Sequence, residues 1–109
     1  MLFTDAHNPS GAPLDDADAA ALTALAERRG LWLVCDETFR DAGERPTGTL
    51  AAASDRWVTT STLTKSYGLG SLRIGWVAGS PAALERAAAV QDSLSVEPAG
   101  PSLELALAL

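Results

Sequence analysis

Short apolar runs alternate with stretches of helical spacing along the chain. Leu2 to Thr4 reads as a brief buried strand, and the run His7-Asn8-Pro9-Ser10-Gly11-Ala12-Pro13 after it is rich in turn formers. Asp15 or Asp16 is suited to cap a helix that continues to about Arg29, with Leu22, Leu25 and Ala26 on one face and Gly30 as its stop. Leu31-Trp32-Leu33-Val34-Cys35 is continuously apolar, the pattern of a strand covered on both faces. Arg40 to Thr49 reads as loop. Trp57-Val58-Thr59-Thr60-Ser61 is β-branched and predicts a strand, and a loop carrying Lys65, Gly68 and Gly70 follows it. Arg73 to Ala78 predicts the next strand, and Pro81 opens a helix reaching about Ser95. Pro98 and Pro101 bracket a linker into a last apolar helix ending at Leu109, without a capping glycine or terminal basic residue.

Strands alternating with helices predict an α/β fold on a mostly parallel sheet. Ligands of such sheets gather at the carboxyl ends of the strands. Asn8 follows the first strand, Asp36 the second and Lys65 the third, so these three become the candidates for chemistry. The pattern also starts and stops inside elements, which predicts that residues 1–109 are part of a larger unit.

Composition narrows the picture only a little. The 109 residues suffice for one small domain, and 47% hydrophobic with 20% charged residues is ordinary for a soluble globular protein. A formal charge of -6 speaks against nucleic acid and anionic membranes as partners. Cys35 is the only cysteine, so no disulfide forms within the chain. No apolar stretch approaches the roughly 18 residues of a membrane span, and no basic leader precedes an apolar run. A cytoplasmic protein is the expectation.

The loop after the third strand changes the picture most. Lys65 sits among hydroxyls and glycines, with Thr62 three residues earlier and Arg73 eight residues later. A lysine amine condenses with aldehydes, a hydroxyl and a guanidinium fork hold phosphate, and Gly68 and Gly70 permit a tight return of the backbone. Asp36 ends a buried strand, where a carboxylate calls for a cationic partner. Asn8 adds a neutral donor. Together these are the parts required to hold pyridoxal 5'-phosphate: an amine for its aldehyde, a carboxylate for its ring nitrogen, donors for its phosphate and its ring hydroxyl.

Three segments carry a family resemblance: His7-Asn8-Pro9-Ser10-Gly11, Asp36-Glu37-Thr38-Phe39, and Thr62 through Trp76. In order and spacing they resemble the successive motifs of class I/II aminotransferases, pyridoxal-phosphate enzymes of fold type I (the aspartate aminotransferase fold). The resemblance covers nearly the whole chain. It implies a three-layer α/β large domain with a mostly parallel sheet, of which residues 1–109 form the second half, the N-terminal portion and the C-terminal small domain lying outside. It further implies that Lys65 forms the Schiff base and shuttles the proton, that Asp36 pairs with the pyridine nitrogen, that Asn8 donates to the ring hydroxyl, and that Thr62 and Arg73 bind the phosphate. Amino acids and 2-oxo acids would be the substrates, and full-length members are homodimers.

Some positions depart from the family pattern. Phe39 stands where a tyrosine is common, removing a hydroxyl from beside the ring oxygen, and Ser10 and Ser71 replace a common threonine and glycine. The family's ring-stacking aromatic, its phosphate-cupping glycine turn and its carboxylate-gripping arginine have no counterpart in the chain. Three other readings follow: a lyase or decarboxylase on the same scaffold, an inactive truncated fragment, and an aminotransferase-like regulatory module. Of the remaining polar residues, Glu37 and Arg40 are expected to form a surface or local ion pair, and His7 to be structural. Cys35 is expected as a core thiol, Tyr67 as packed under the loop, and Trp32, Trp57 and Trp76 as core residues on strands.

Overall fold

The computed structural model describes residues 1–43, 48–95 and 97–109. Strands β1 (Leu2–Thr4), β2 (Leu33–Asp36), β3 (Trp57–Thr62) and β4 (Gly75–Gly79) form one sheet in sequence order. The first three strands are parallel, while β4 runs antiparallel to β3. The α/β expectation is met with one antiparallel edge. Helix α1 (Asp16–Arg29) forms the β1–β2 crossover, and α2 (Pro81–Leu94) and α3 (Gly100–Leu107) follow β4.

Local chemistry sets these bounds. Asp15 caps α1 by accepting from the Asp18 N–H at 2.7 Å, and Gly30 closes the helix in the left-handed region at φ 63°. Helix α2 begins at Pro81, as predicted. Pro101 lies within the first turn of α3 rather than in a linker, because a helix's first N–H groups have no intrahelical acceptor to lose. The strand predicted at Arg73 begins only at Gly75, since Arg73 has positive φ and breaks the extension. The predicted loop from Arg40 to Thr49 opens with a 3₁₀ turn at Arg40–Ala42, and its positions 44–47 lie outside the described residues.

The core lies on one side of the sheet. Ala26 of α1 meets Leu33 and Cys35 of β2 and Trp57 of β3, all fully buried, with Phe3, Leu22 and Leu50 packed around them. Side chains alternate along a strand, so Leu33, Cys35, Trp57 and Thr59 share this face. Trp57 anchors it: the ring tilts against Phe3 at 6.1 Å and its indole N–H donates to the Thr23 hydroxyl at 2.8 Å. Burying an indole of some 200 Å² stabilises by about 5 kcal/mol. The opposite face carries Val34, Asp36, Val58 and Thr60, only half-buried. Helix α2 lies on that side: a Cβ on Gly79 would come within 3.6 Å of the Ala83 Cβ and 3.5 Å of a Val58 methyl. The result is three layers.

Several burial expectations fail in one direction. Strand β1 is an edge, and Leu2 is 77% exposed. Strand β2 is fully covered on one face only. Trp76 is 39% exposed on the edge strand β4, and Trp32 precedes β2 instead of lying on it. The radius of gyration, 14.7 Å, exceeds the roughly 13 Å of a compact chain of this length. In α3, Leu103, Leu105 and Leu107 are exposed.

Candidate active site

Parallel pairing brings three loops to one end of the sheet. Thr4 is level with Asp36, and Asp36 is level with Thr60. The ladder continues past the strands: the Asp5 N–H donates to the Asp36 carbonyl at 2.9 Å and the Glu37 N–H to the Thr60 carbonyl at 2.8 Å. Asn8, Asp36 and the Thr62–Arg73 segment therefore gather at the carboxyl edge. By strand alternation Asp36 and Thr62 share the α2 side of the sheet.

Asp36 is half-buried, and its Oδ1 accepts from the Thr38 N–H at 2.9 Å. Among the described residues its Oδ2 takes no hydrogen bond, leaving a carboxylate oxygen for an outside donor. Lys65 is exposed and is the only lysine of the chain. Among the described residues its amine has no acidic partner. Asn8 is exposed beside an open cavity of about 290 Å³, lined also by His7, Pro9, Gly11, Phe39 and Ala42. His7 bonds Ser10 across its own turn at 3.0 Å, the structural role expected of it.

The phosphate-binding candidates are in different states. The Thr62 hydroxyl donates to the Ile74 carbonyl at 2.9 Å, accepts from the Thr64 N–H at 3.2 Å, and pairs with the Thr64 hydroxyl at 2.9 Å. An oxyanion at Thr62 requires its proton to swing away from Ile74. Arg73 is exposed, and among the described residues its guanidinium makes a single long contact, 3.4 Å to the Gly70 carbonyl. Its backbone sits at φ 56° and ψ 36°, a conformation that costs a non-glycine residue about 1–2 kcal/mol. Such strain recurs where a side chain must be held in place for a ligand. Gly68 takes φ 68°, which is how the loop turns back; Gly70 has no positive φ.

The loop containing Lys65 is tied to the loop after Asp36. The Ser66 hydroxyl donates to the Thr38 carbonyl at 3.0 Å, and the Tyr67 hydroxyl donates to Asp41 Oδ2 at 2.8 Å. Tyr67 is 48% exposed rather than packed under the loop, with its ring edge-on to Trp76 at 6.4 Å. The Arg40 hydrogen bond, and then that from Tyr67, hold the Asp41 carboxyl below its ordinary range, while the Asp41 bond raises the Tyr67 phenol.

Two buried carboxylates support the site, and sequence reasoning did not single them out for this. Glu37, 2% exposed, accepts from Arg40 Nη1 at 2.7 Å, the Thr49 hydroxyl at 2.9 Å and the Leu50 N–H at 2.8 Å. Of the two alternatives expected, a surface or a local ion pair with Arg40, the local one exists, and it is largely buried. Asp5, 4% exposed, accepts from the Ala6 and Leu14 N–H groups at 3.0 Å and so folds the turn that presents Asn8. Period-two alternation could have flagged Glu37, which continues the buried series Leu33, Cys35. Cys35 is the buried thiol expected; burial pushes its pKa up to about 12, against a weaker opposing pull from the Asp5 backbone.

The donor set fits pyridoxal phosphate: a carboxylate with an open oxygen, an exposed amine, a guanidinium fork and hydroxyls lie at one sheet edge. Among the described residues no cluster of His, Cys, Asp and Glu could hold a metal, and no helix is long and apolar enough to cross a membrane.

Comparison with known proteins gives a consistent result. The family description "Aminotransferase class I and II" matches residues 1–109. An arginine–pyruvate transaminase of Pseudomonas aeruginosa is 39% identical over 88 residues, covering 77% of this chain and 22% of the relative. A threonine-phosphate decarboxylase of the same organism is 35% identical over 81 residues, 72% of this chain and 24% of its own length. Among solved structures, a probable N-succinyldiaminopimelate aminotransferase from Thermus thermophilus superposes with TM-score 0.85 at 30% identity, covering 94% of this chain and 29% of that one. A PLP-dependent aminotransferase from Streptococcus suis gives 0.83 at 25% identity, covering 93% and 27%. The chain thus spans about a quarter of the length of the proteins it resembles.

Proposed function

The chain belongs to the class I and II aminotransferases, and from that premise we propose that it supplies the lysine-bearing part of a pyridoxal 5'-phosphate site in an enzyme that moves an amino group between an amino acid and a 2-oxo acid. On this reading residues 1–109 are the second half of the large cofactor-binding domain. The assembled protein is a cytoplasmic homodimer of amino acid metabolism. The observation that carries the reading is the meeting of Asp36 and the Lys65 loop at one edge, joined by the Ser66–Thr38 hydrogen bond.

When bound, the cofactor supplies an electron sink for a developing carbanion. Asp36 would offer its open Oδ2 to the ring N–H, and the charge of that carboxylate would favour the protonated nitrogen. Lys65 Nζ would hold the cofactor through its aldehyde carbon and, once released by the substrate amine, would move the proton at the substrate α-carbon. Arg73 would hold the phosphate with its guanidinium, and Thr62 would add a hydroxyl once it releases Ile74. Asn8 donates to the ring hydroxyl, and Phe39 leaves that oxygen without a second donor.

Chemical trapping tests this directly. The chain is incubated with pyridoxal phosphate and reduced with borohydride, and the labelled peptide is identified by mass. The expected product is a phosphopyridoxyl group on Lys65, reduced in yield in Asp36→Ala and in Arg73→Ala. Labelling confined to the chain's amino terminus, or equal yield in all three proteins, sinks the proposal. Turnover belongs to the assembled protein, and the 109-residue chain alone is expected to show none.

The decarboxylase relative supports a second reading, carbon dioxide release on the same scaffold. With the assembled protein, formation of a 2-oxo acid without carbon dioxide from an amino donor identifies transfer. Carbon dioxide release without a 2-oxo acid identifies decarboxylation.

A further inference from the structure

Two consecutive residues after Lys65 both reach across to the segment that begins at Asp36. Ser66 bonds the Thr38 carbonyl, and Tyr67 bonds the Asp41 carboxylate. That carboxylate also accepts from Arg40 Nε at 3.1 Å, and Arg40 Nη1 bonds the buried Glu37 at 2.7 Å. Glu37 is adjacent to Asp36 in sequence and anchored by Thr49 and Leu50. A continuous chain of hydrogen bonds thus runs from Tyr67 through Asp41, Arg40 and Glu37 to the backbone next to Asp36. The Tyr67 ring rests edge-on against Trp76 of β4 at 6.4 Å. Mere loop packing needs no such chain, since the lysine loop already turns on its own bonds from Gly68 to Lys65 and from Leu69 to Leu63.

We propose that Tyr67 and Asp41 are positioning residues: they clasp the Lys65 loop to the Asp36 loop and so fix the separation of the two groups that grip opposite sides of one cofactor ring. This rests on the reading that Asp36 and Lys65 share a ligand. A ring spans a fixed distance, so its two anchors must be held at that distance before it arrives. Bonds within one loop cannot do this. Ser66 at 3.0 Å and Tyr67 at 2.8 Å tie the two loops at separate points, so the lysine loop cannot pivot about a single contact.

Tyr67→Phe, Asp41→Ala and the double variant test the clasp; Tyr67→Phe keeps the ring on Trp76 and alters a half-exposed position, so the chain folds. In the cofactor-free chain, each single variant is expected to speed amide exchange of Gly68 and Leu69 in one loop and of Ala42 and Gly43 in the other. The expected factor is about three to ten, the range for losing one partly exposed bond to a charged acceptor. The double variant is expected to go no further than Asp41→Ala, which already removes the acceptor of the Tyr67 hydroxyl. With pyridoxal phosphate added, the pH midpoint of the lysine-bound absorbance is expected to move in Tyr67→Phe, and to move by the same amount in the double variant as in Asp41→Ala, which also releases Arg40. Faster exchange in the altered loop alone, additive effects in the double variant, or an unmoved spectral midpoint overturns the clasp. If the parent chain takes no label at Lys65, the cofactor reading falls, and the exchange data alone decide whether the two loops are coupled.

Discussion

Removing the negative charge of Glu37 while keeping its shape probes the scaffold beneath the site. In Glu37→Gln the amide oxygen still accepts from the Leu50 N–H, which now bonds Oε1 at 2.8 Å. The new NH₂ group replaces Oε2, which accepts from Arg40 at 2.7 Å and from Thr49 at 2.9 Å. Arg40 has no acceptor capacity, so donor faces donor. Thr49 can accept from the NH₂ group by turning its own proton to Thr59, which keeps their 2.9 Å bond in the reverse direction. A charged hydrogen bond contributes about 1.5–3 kcal/mol, and Arg40 keeps Asp41, so the expected loss is about 2 kcal/mol. Glu37→Ala also leaves the Leu50 N–H and the Thr49 hydroxyl without their acceptor and is expected to cost about 3–5 kcal/mol. Against a total of some 5–15 kcal/mol, the second variant is close to unfolding. Urea titration followed by fluorescence of the buried Trp57 measures both. With a slope of about 1–1.5 kcal/mol/M, Glu37→Gln should lower the midpoint by about 1.5 M. A shift below about 0.3 M at unchanged slope would show that the pair is no more than a surface contact and refute the argument.

Three further outcomes follow from single contacts. A Cβ on Gly75 would lie 2.8 Å from the Ser61 carbonyl oxygen, so Gly75→Ala should cost about 1–3 kcal/mol and speed amide exchange along β3 and β4; an unchanged melting curve counts against this. Because the Cys35 pKa is raised from 9.0 to about 12, the folded chain keeps a proton there that the unfolded chain loses, so stability should fall as pH rises from about 9 towards 12. Cys35→Ala should lack that alkaline loss; an identical profile in both proteins removes the thiol as its cause. Arg73→Lys keeps the charge but loses the fork, so half-saturation of Lys65 labelling should need about ten times more pyridoxal phosphate, the equivalent of about 1.4 kcal/mol. Equal labelling curves would mean that Arg73 does not touch the phosphate.

Much of the fold was legible because the decisive signals are local. Asp15, Gly30 and Pro81 mark helix ends through their own backbone chemistry, and each acts where the sequence put it. The β-branched run at β3 and the apolar run at β2 form strands for the same reason. Arg73 was misread as strand because its left-handed backbone is imposed by the turn at Gly70–Leu72, a constraint absent from strand propensity. Burial was overestimated for Leu2 and Trp76 because apolarity does not say whether a strand is interior or edge.

By itself the sequence determined the kinds of groups available and their order after successive strands: Asn8, Asp36, Thr62, Lys65 and Arg73. Parallel pairing then sends all of them to one edge, since strands of one direction end on one side. Only the tertiary structure decided which partners these groups meet. It committed the Thr62 hydroxyl to Ile74, left the second oxygen of Asp36 open, buried Glu37 beneath the turn and ran the Tyr67–Asp41 bond across 26 residues. Those contacts depend on cross-strand register and loop closure, set by packing of the whole sheet and written in no single stretch of the chain.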